Sequence, residues 1–297
     1  MGDGILDGRA VIVTGAGRGL GRAYALDLAA HGACVMVNDI DAAEAGAVAG
    51  EIGGKALPST HDVSDPAAVE AMVEACVREF GGLHGLVNNA GLYHESLPWE
   101  ENPAAIQRAV SVNVIGALLC QAAASRVMTG GGAIVNASSG GMFGFPAVST
   151  YAATKGALAA LTFSSALDLE ARDIRVNAIS PMALTRMTGN ALGRELAPST
   201  SNAPPLAGIE DKPPERIAPL VTFLLSDLAA GITGQFLRFD GAKVSVVTTN
   251  AFADHPFATA GTWDPAAFAN AFTGPLAEHL QPYGVERRLP PRARYGA

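Results

Sequence analysis

The sequence predicts an α/β fold: one Rossmann-type doubly wound parallel sheet of about seven strands, with helices on both faces and a C-terminal extension. Three observations predict it. Short apolar runs alternate with helical patterns from the start of the chain, which is the βαβ rhythm. The runs are continuous and rich in β-branched residues, as strands covered on both faces must be. A glycine cluster separates the first run from the first helical pattern, where such a sheet receives its ligand.

The elements follow in order. Strand 10–14 leads to helix 20–30, and strand 34–38 to helix 41–51. A helix at 66–80 precedes strand 83–88, and a long helix at 103–128 precedes strand 133–137. Helix 150–171 is followed by strand 174–179, and helix 214–226 by strand 235–240. The segment 185–212, rich in Gly, Pro, Ser and Asn, breaks the rhythm just after a strand end. It reads either as a lid over a ligand crevice or as an ordinary irregular connection. After Asp240-Gly241 the alternation stops, so the reading is one domain over 1–245 and an extension over 246–297, although 297 residues alone would suggest about two domains.

Composition narrows the function classes. With 20 Lys and Arg against 28 Asp and Glu, the net charge of −8 offers no global attraction to nucleic acid or to anionic lipid. Cys34, Cys76 and Cys120 are scattered and odd in number, which fits reduced thiols rather than disulfides or a metal site. The acidic start Met1-Gly2-Asp3-Gly4 lacks the basic and apolar regions of a signal peptide. The most apolar stretch, 108–126, contains Asn113 and Gln121 and suits a buried helix better than a bilayer span. The expectation is a cytoplasmic protein with no nucleic-acid or membrane partner and no metal.

Thr14-Gly15-Ala16-Gly17-Arg18-Gly19-Leu20-Gly21 lies between the first strand and first helix, where a dinucleotide pyrophosphate meets a helix N-terminus. Glycines there serve a tight turn, close backbone approach to phosphate and close helix–strand packing. About 20 residues on, the second strand ends in Asn38-Asp39. A carboxylate at Asp39 accepts hydrogen bonds from ribose hydroxyls and repels a 2′-phosphate, which favours NAD over NADP. Arg18 reads either as a contact to such a phosphate or as a solvated surface arginine.

Tyr151 and Lys155 are four residues apart on a helix and share one face. Carbonyl reduction needs a proton donor at the oxygen, and a nearby cation draws a tyrosine, ordinarily titrating at about 10, towards its phenolate. The preceding strand ends in Asn136-Ala137-Ser138-Ser139, from which a hydroxyl can polarise a carbonyl. Asn88-Asn89-Ala90-Gly91 ends another strand at the same sheet edge, and Asn113 interrupts an apolar helix, where it reads either as a site residue or as a satisfied core amide.

On these motifs, in this order and spacing and with Ser180-Pro181 after them, the chain resembles the short-chain dehydrogenase/reductase family over about residues 5–245. The resemblance implies Tyr151 as acid/base, Lys155 holding the nicotinamide ribose and lowering the tyrosine pKa, and Asn113 fixing a proton-relay water. It implies cofactor contacts from Gly15, Gly17, Arg18, Gly19 and Leu20, with Asp39 at the ribose and Asp62-Val63 at the adenine. Asn89, Ala90, Gly91, Pro181 and Thr185 complete that set, with Thr185 near the carboxamide. The family's serine lies thirteen positions before the tyrosine, which gives Ser138, whereas matching strand residues selects Ser139; the offsets of Gly141 and Gly144 favour Ser138. Pro181-Met182 stands where the family often has Pro-Gly.

Stretches 141–148 and 182–205, with Met142, Phe143, Phe145, Met187 and Leu192, point to an apolar secondary alcohol or ketone, or else are lid packing. The glycine loop, the 185–188 stretch and Trp263-Asp264-Pro265 are similar to (3R)-hydroxyacyl-CoA dehydrogenase units of multifunctional enzymes, so a (3R)-hydroxyacyl thioester is the alternative substrate. A catalytically silent nucleotide-binding scaffold is the other class, against which the Ser–Tyr–Lys set argues. The nearly uncharged run 156–167 and the family's helix pairing imply a homodimer or homotetramer. The extension reads either as a cover for a neighbouring subunit or the substrate mouth, or as a partly ordered terminus.

Overall fold

The computed structural model describes residues 4–183 and 212–248. Its elements are β1 (Ala10–Thr14), α1 (Gly19–Ala30), β2 (Cys34–Asn38), α2 (Ala42–Ile52), β3 (Ala56–Ser59), α3 (Pro66–Phe80), β4 (Gly85–Asn88), α4 (Pro103–Val110), α5 (Gly116–Val127), β5 (Gly132–Ala137), α6 (Ser149–Asp168), β6 (Ile174–Pro181), α7 (Ala218–Leu225), β7 (Phe236–Phe239) and β8 (Val244–Val246). The strands form one sheet in the order β3-β2-β1-β4-β5-β6-β7-β8. Its first seven strands are parallel, and β8 runs antiparallel to β7.

Both sheet faces are buried. Val11 and Val13 of β1 face one core shared with Leu28, Val48 and Val221, while Ala10 and Ile12 face another shared with Met72, Leu86 and Ile134. Each fully buried aliphatic side chain contributes about 1.5–3 kcal/mol, which is why the strands lack polar alternation. Helix starts are written in the sequence: Asp41 accepts from the Ala43 and Glu44 amides, Asp65 caps α3 ahead of Pro66, and Asn102 caps α4 ahead of Pro103.

The strand order reverses between β1 and β4, so their C-terminal ends open a crevice at the switch point. Thr14, Asn38, Asn88, Ala137 and Pro181 all end strands on that edge.

Four details depart from the sequence reading. The strand β3 contains Pro58, which an edge strand tolerates because one side needs no ladder partner. The strand β8 follows a turn in which Asp240 Oδ1 accepts from the Ala242 and Lys243 amides and Gly241 adopts φ 85°. The sheet therefore continues to Val246, across the expected boundary at 245/246. The single helix expected at 103–128 is α4 and α5 joined by a π-helical turn, Ser111–Ile115, centred on Asn113. The helix expected at 214–226 is a 3-10 turn, Pro214–Arg216, followed by α7. The run Pro103–Val127 is long and apolar enough to cross a membrane by length and composition. It packs in the core, where Gln121 Nε2 donates to Ser165 Oγ at 2.7 Å.

Candidate active site

The glycine loop is shaped by contacts that admit no side chain. Gly15 adopts φ 63°, and a Cβ on it would stand 2.8 Å from Ala90 Cα; a Cβ on Gly21 would stand 2.0 Å from the Gly15 carbonyl oxygen. Asn89 Nδ2 donates to the Thr14 and Gly15 carbonyls at 3.1 and 3.0 Å, and the Thr14 hydroxyl accepts from the Asn89 and Ala90 amides. Asn89 thus fixes the loop with its side chain. Asn88 belongs to the core instead, donating to Asn136 Oδ1 at 2.9 Å.

Asp39 is buried to 7% exposure, with Oδ2 accepting from the Gly17 amide at 2.9 Å and Oδ1 from the Asp41 amide at 3.1 Å. The carboxylate therefore stands at the glycine loop. Arg18 precedes α1 with no side-chain cap, Gly19 opens the helix, and Leu20 packs on the core. Asp62 Oδ1 accepts from the Ser64 amide and hydroxyl, and Oδ2 faces Arg108 at 3.4 Å. The Ser64 hydroxyl bond leads in holding its carboxyl below the ordinary range. Val63 is buried against Gly116, where a Cβ would stand 2.8 Å from Val63 Cγ2.

A dinucleotide fits this edge: the cradle is bare backbone held open by Asn89, with a carboxylate at its rim.

Across the crevice, Tyr151 lies in the first turn of α6 and Lys155 one turn on. Lys155 is buried, and its Nζ donates to the Ala137 carbonyl at 2.6 Å and lies 5.7 Å from the Tyr151 ring centroid. Burial pulls the ammonium down to about 8. A Cβ on Gly91 would stand 3.5 Å from both Lys155 Nζ and Asn113 Oδ1, so Gly91 lies against both side chains. Burial also pushes the Tyr151 phenol above its ordinary value, against which a hydrogen bond with Ser139 pulls it back.

The two candidate serines are placed differently. Ser138 is buried with its hydroxyl donating to the Lys155 carbonyl at 2.7 Å, whereas Ser139 accepts from the Gly141 amide at 3.0 Å, and a Cβ on Gly141 would stand 3.2 Å from Ser139 Oγ and 3.4 Å from Tyr151 Cε1. Both follow the end of β5 at Ala137, where Ser138 turns to the carbonyl of Lys155 and Ser139 caps the turn that follows.

Asn113 is fully buried; Nδ2 donates to the Leu92 carbonyl and to Thr154 Oγ1, and Oδ1 accepts from the Leu92 amide. Its side chain is thus committed to joining the β4 exit to α6, and the π turn that carries it is a feature found mostly at functional sites. Pro181 ends β6 beside Phe239, and Ser180 Oγ accepts from the Gly140 amide at 2.9 Å. Thr185, Met187 and Leu192 lie outside the described residues.

Sequence reasoning missed Tyr93, whose ring meets Tyr151 edge-on at 4.9 Å between centroids. It also missed Glu101, which accepts from the Thr150 hydroxyl at 2.6 Å. Neither carries a spacing signal, because both meet the site from a loop.

A tyrosine and a buried lysine one helical turn apart, beside a bare dinucleotide cradle, make the arrangement of a nucleotide-dependent oxidoreductase. The family model described as enoyl-(acyl carrier protein) reductase matches residues 15–242. Levodione reductase of Leifsonia aquatica is 36% identical over 251 residues, 79% of this chain and 94% of that protein. The hydroxyacyl-CoA dehydrogenase ChsB1 of Mycobacterium tuberculosis is 34% identical over 280 residues, 88% of this chain and 86% of that protein. A solved structure, the 3-ketoacyl-(acyl-carrier-protein) reductase of Brucella melitensis complexed with NADH, superposes with a TM-score of 0.71 at 32% identity, covering 80% of this chain and 98% of that one. The chain belongs to the short-chain dehydrogenase/reductase family. It is an oxidoreductase acting on the CH–OH group of an alcohol, or on the corresponding ketone, with a nicotinamide cofactor.

Proposed function

We propose that Tyr151 is the proton donor and acceptor of this reaction and that the cofactor is NAD rather than NADP. When bound, the nicotinamide supplies or accepts the hydride. As the carbonyl carbon gains it, the oxygen takes the phenol proton of Tyr151, and the Ser139 hydroxyl steadies the developing oxyanion. Lys155 and Asn113 hold the tyrosine's surroundings, and Gly15, Gly17, Arg18, Gly19, Leu20, Asp62, Val63, Asn89, Ala90, Gly91 and Pro181 shape the cofactor cleft, with Thr185 assigned there by its motif. The observation that carries the reading is the convergence at one sheet edge of Tyr151, the Ser139 hydroxyl beside it at Gly141, and buried Lys155, whose Nζ lies 5.7 Å from the Tyr151 ring centroid. Buried Asp39, bonded to the Gly17 amide, supports NAD, because its charge repels a 2′-phosphate.

The substrate is an apolar secondary alcohol or its ketone, taken against Tyr93, Met142 and Phe143. The likeness to ChsB1 keeps a (3R)-hydroxyacyl thioester as the second reading. Oxidation of a panel of acyclic and cyclic secondary alcohols and (3R)-hydroxyacyl thioesters, with NAD and NADP in parallel, tests both. Turnover confined to charged sugars rejects the apolar substrate, and preference for NADP rejects the role of Asp39.

The assembly is a homodimer or homotetramer, in the cytoplasm. Ile115, Leu118 and Leu167 expose apolar side chains on the outer faces of the π turn, α5 and α6, and such faces are covered by a second copy in symmetric assemblies. Light scattering on the purified protein reads the state directly, and a monomer contradicts this assignment.

A further inference from the structure

The segment between β4 and α4 forms the wall facing Tyr151, since Tyr93 lies on it and meets the tyrosine ring edge-on. It holds no strand or helix of its own, yet it is tied down at both ends. Glu101, next to the Asn102 cap of α4, is only 10% exposed in its side chain. One carboxylate oxygen accepts from the hydroxyl of Thr150, the residue directly before Tyr151, at 2.6 Å. The other pairs with His94 Nε2, the residue directly after Tyr93, at 2.7 Å. A second tie lies alongside, where the Ser96 amide donates to the Ala147 carbonyl at 2.8 Å and Ser96 bridges to Val148.

We propose that Glu101 is a positioning residue: it clamps the Tyr93 wall to the start of α6 and so sets the space beside the reacting tyrosine. The proposal rests on the assignment of Tyr151 above. Its basis is that one carboxylate bonds the neighbours of both tyrosines, with each oxygen matched to one partner. Charge-assisted hydrogen bonds of this kind are short and directional, so they fix geometry as well as contribute energy. Without the carboxylate, Thr150 and His94 lose their common anchor. The Tyr93 ring is then free to shift against Tyr151, and the room for substrate changes. Reaction rates are sensitive to such displacements, since about 1 Å of misplacement can cost on the order of 100-fold.

The test compares wild type, Glu101→Ala, Glu101→Gln and Thr150→Val, with Tyr151→Phe as control. It uses one acyclic and one cyclic secondary alcohol from the panel that the wild type oxidises with its preferred cofactor. The ratio of kcat/KM for the two alcohols does not depend on how much of a preparation is folded. Glu101→Ala shifts that ratio and lowers kcat/KM by about 10- to 100-fold, with NADH binding retained. Glu101→Gln, whose amide oxygen still accepts from Thr150 and whose NH2 donates to the lone pair of His94 Nε2 in the other ring tautomer, restores both to within about threefold. Thr150→Val, which removes only the hydroxyl, shifts the ratio in the same direction and serves if the alanine variant does not fold. An unchanged ratio in Glu101→Ala and Thr150→Val, or a Gln variant as impaired as the Ala variant, overturns the clamp. Full activity in Tyr151→Phe instead overturns the assignment of the tyrosine, so the two failures are told apart.

Discussion

The two sides of the crevice are built by different means. The β1–β2 side is a backbone structure: glycines at 15, 17, 19 and 21 clear a space, and one amide, Asn89, and one carboxylate, Asp39, hold its edges. The β5–α6 side is a side-chain structure, where Ser139, the Tyr151–Lys155 pair of α6 and Asn113 arrive from three separate stretches, with Ser139, Lys155 and Asn113 each held by a further partner. A backbone cradle fails in binding when an atom is added, whereas a side-chain cluster fails in turnover when a reacting group or its support is removed. That difference says which substitutions should separate binding from chemistry.

The largest effect on cofactor binding is expected in the cradle. Gly21→Ala places a Cβ 2.0 Å from the Gly15 carbonyl oxygen, so the loop must move. NADH binding, followed by fluorescence titration, weakens by about 100-fold or more because the pyrophosphate loses its backbone donors. Retained affinity would show that the loop is not the phosphate site.

On the other side, Ser139→Ala lowers kcat by about 100-fold while leaving NADH affinity unchanged, as loss of one oxyanion donor does. Ser138→Ala removes only the buried bond to the Lys155 carbonyl and costs about 1 kcal/mol of stability. Stopped-flow turnover of the pair separates them, and the reverse ranking would restore Ser138.

A smaller effect belongs to the rim. Asp39→Ala narrows the preference for NAD over NADP by about tenfold, the scale of a partly screened charge beside a 2′-phosphate. The ratio of kcat/KM with the two cofactors measures it.

The smallest is a pH effect on stability. Lys155 titrates at about 8 in the folded protein against an ordinary value of 10.5, so below pH 8 both states are protonated and the burial penalty is fully present. Between these values the unfolded chain binds more protons, and stability rises with pH. The melting temperature of wild type relative to Lys155→Met therefore moves in favour of wild type from pH 8 towards 10.5, and a flat or opposite trend contradicts the burial of a charged amine.

What could be read in the sequence follows the same division. The cradle, Asp39 and the Tyr151–Lys155 pair are local patterns, each set by a strand end or by one helical turn, and the sheet follows from the same alternation of apolar runs. Counting back from Tyr151 favours Ser138 but crosses a loop whose length carries no register, whereas the strand residue Asn136, which carries one, points to Ser139. The π turn at Asn113 changes no residue type, only the hydrogen-bond step, and so leaves no pattern. Tyr93 and Glu101 matter through partners about 50 residues away, and no spacing rule joins them. The edge strands β3 and β8 are short, and Pro58 and the turn at Gly241 mask them.

The central claim is that proton transfer resides in one phenol and cofactor binding resides elsewhere. Tyr151→Phe, which keeps the ring against Tyr93 and removes one oxygen, tests it in a single preparation by measuring turnover of the best alcohol together with the dissociation constant for NADH. The account predicts that kcat falls by at least about 1000-fold, consistent with loss of general acid–base catalysis, and that NADH affinity stays within about twofold of wild type. Turnover close to that of wild type, or loss of NADH binding in parallel with activity, would contradict it.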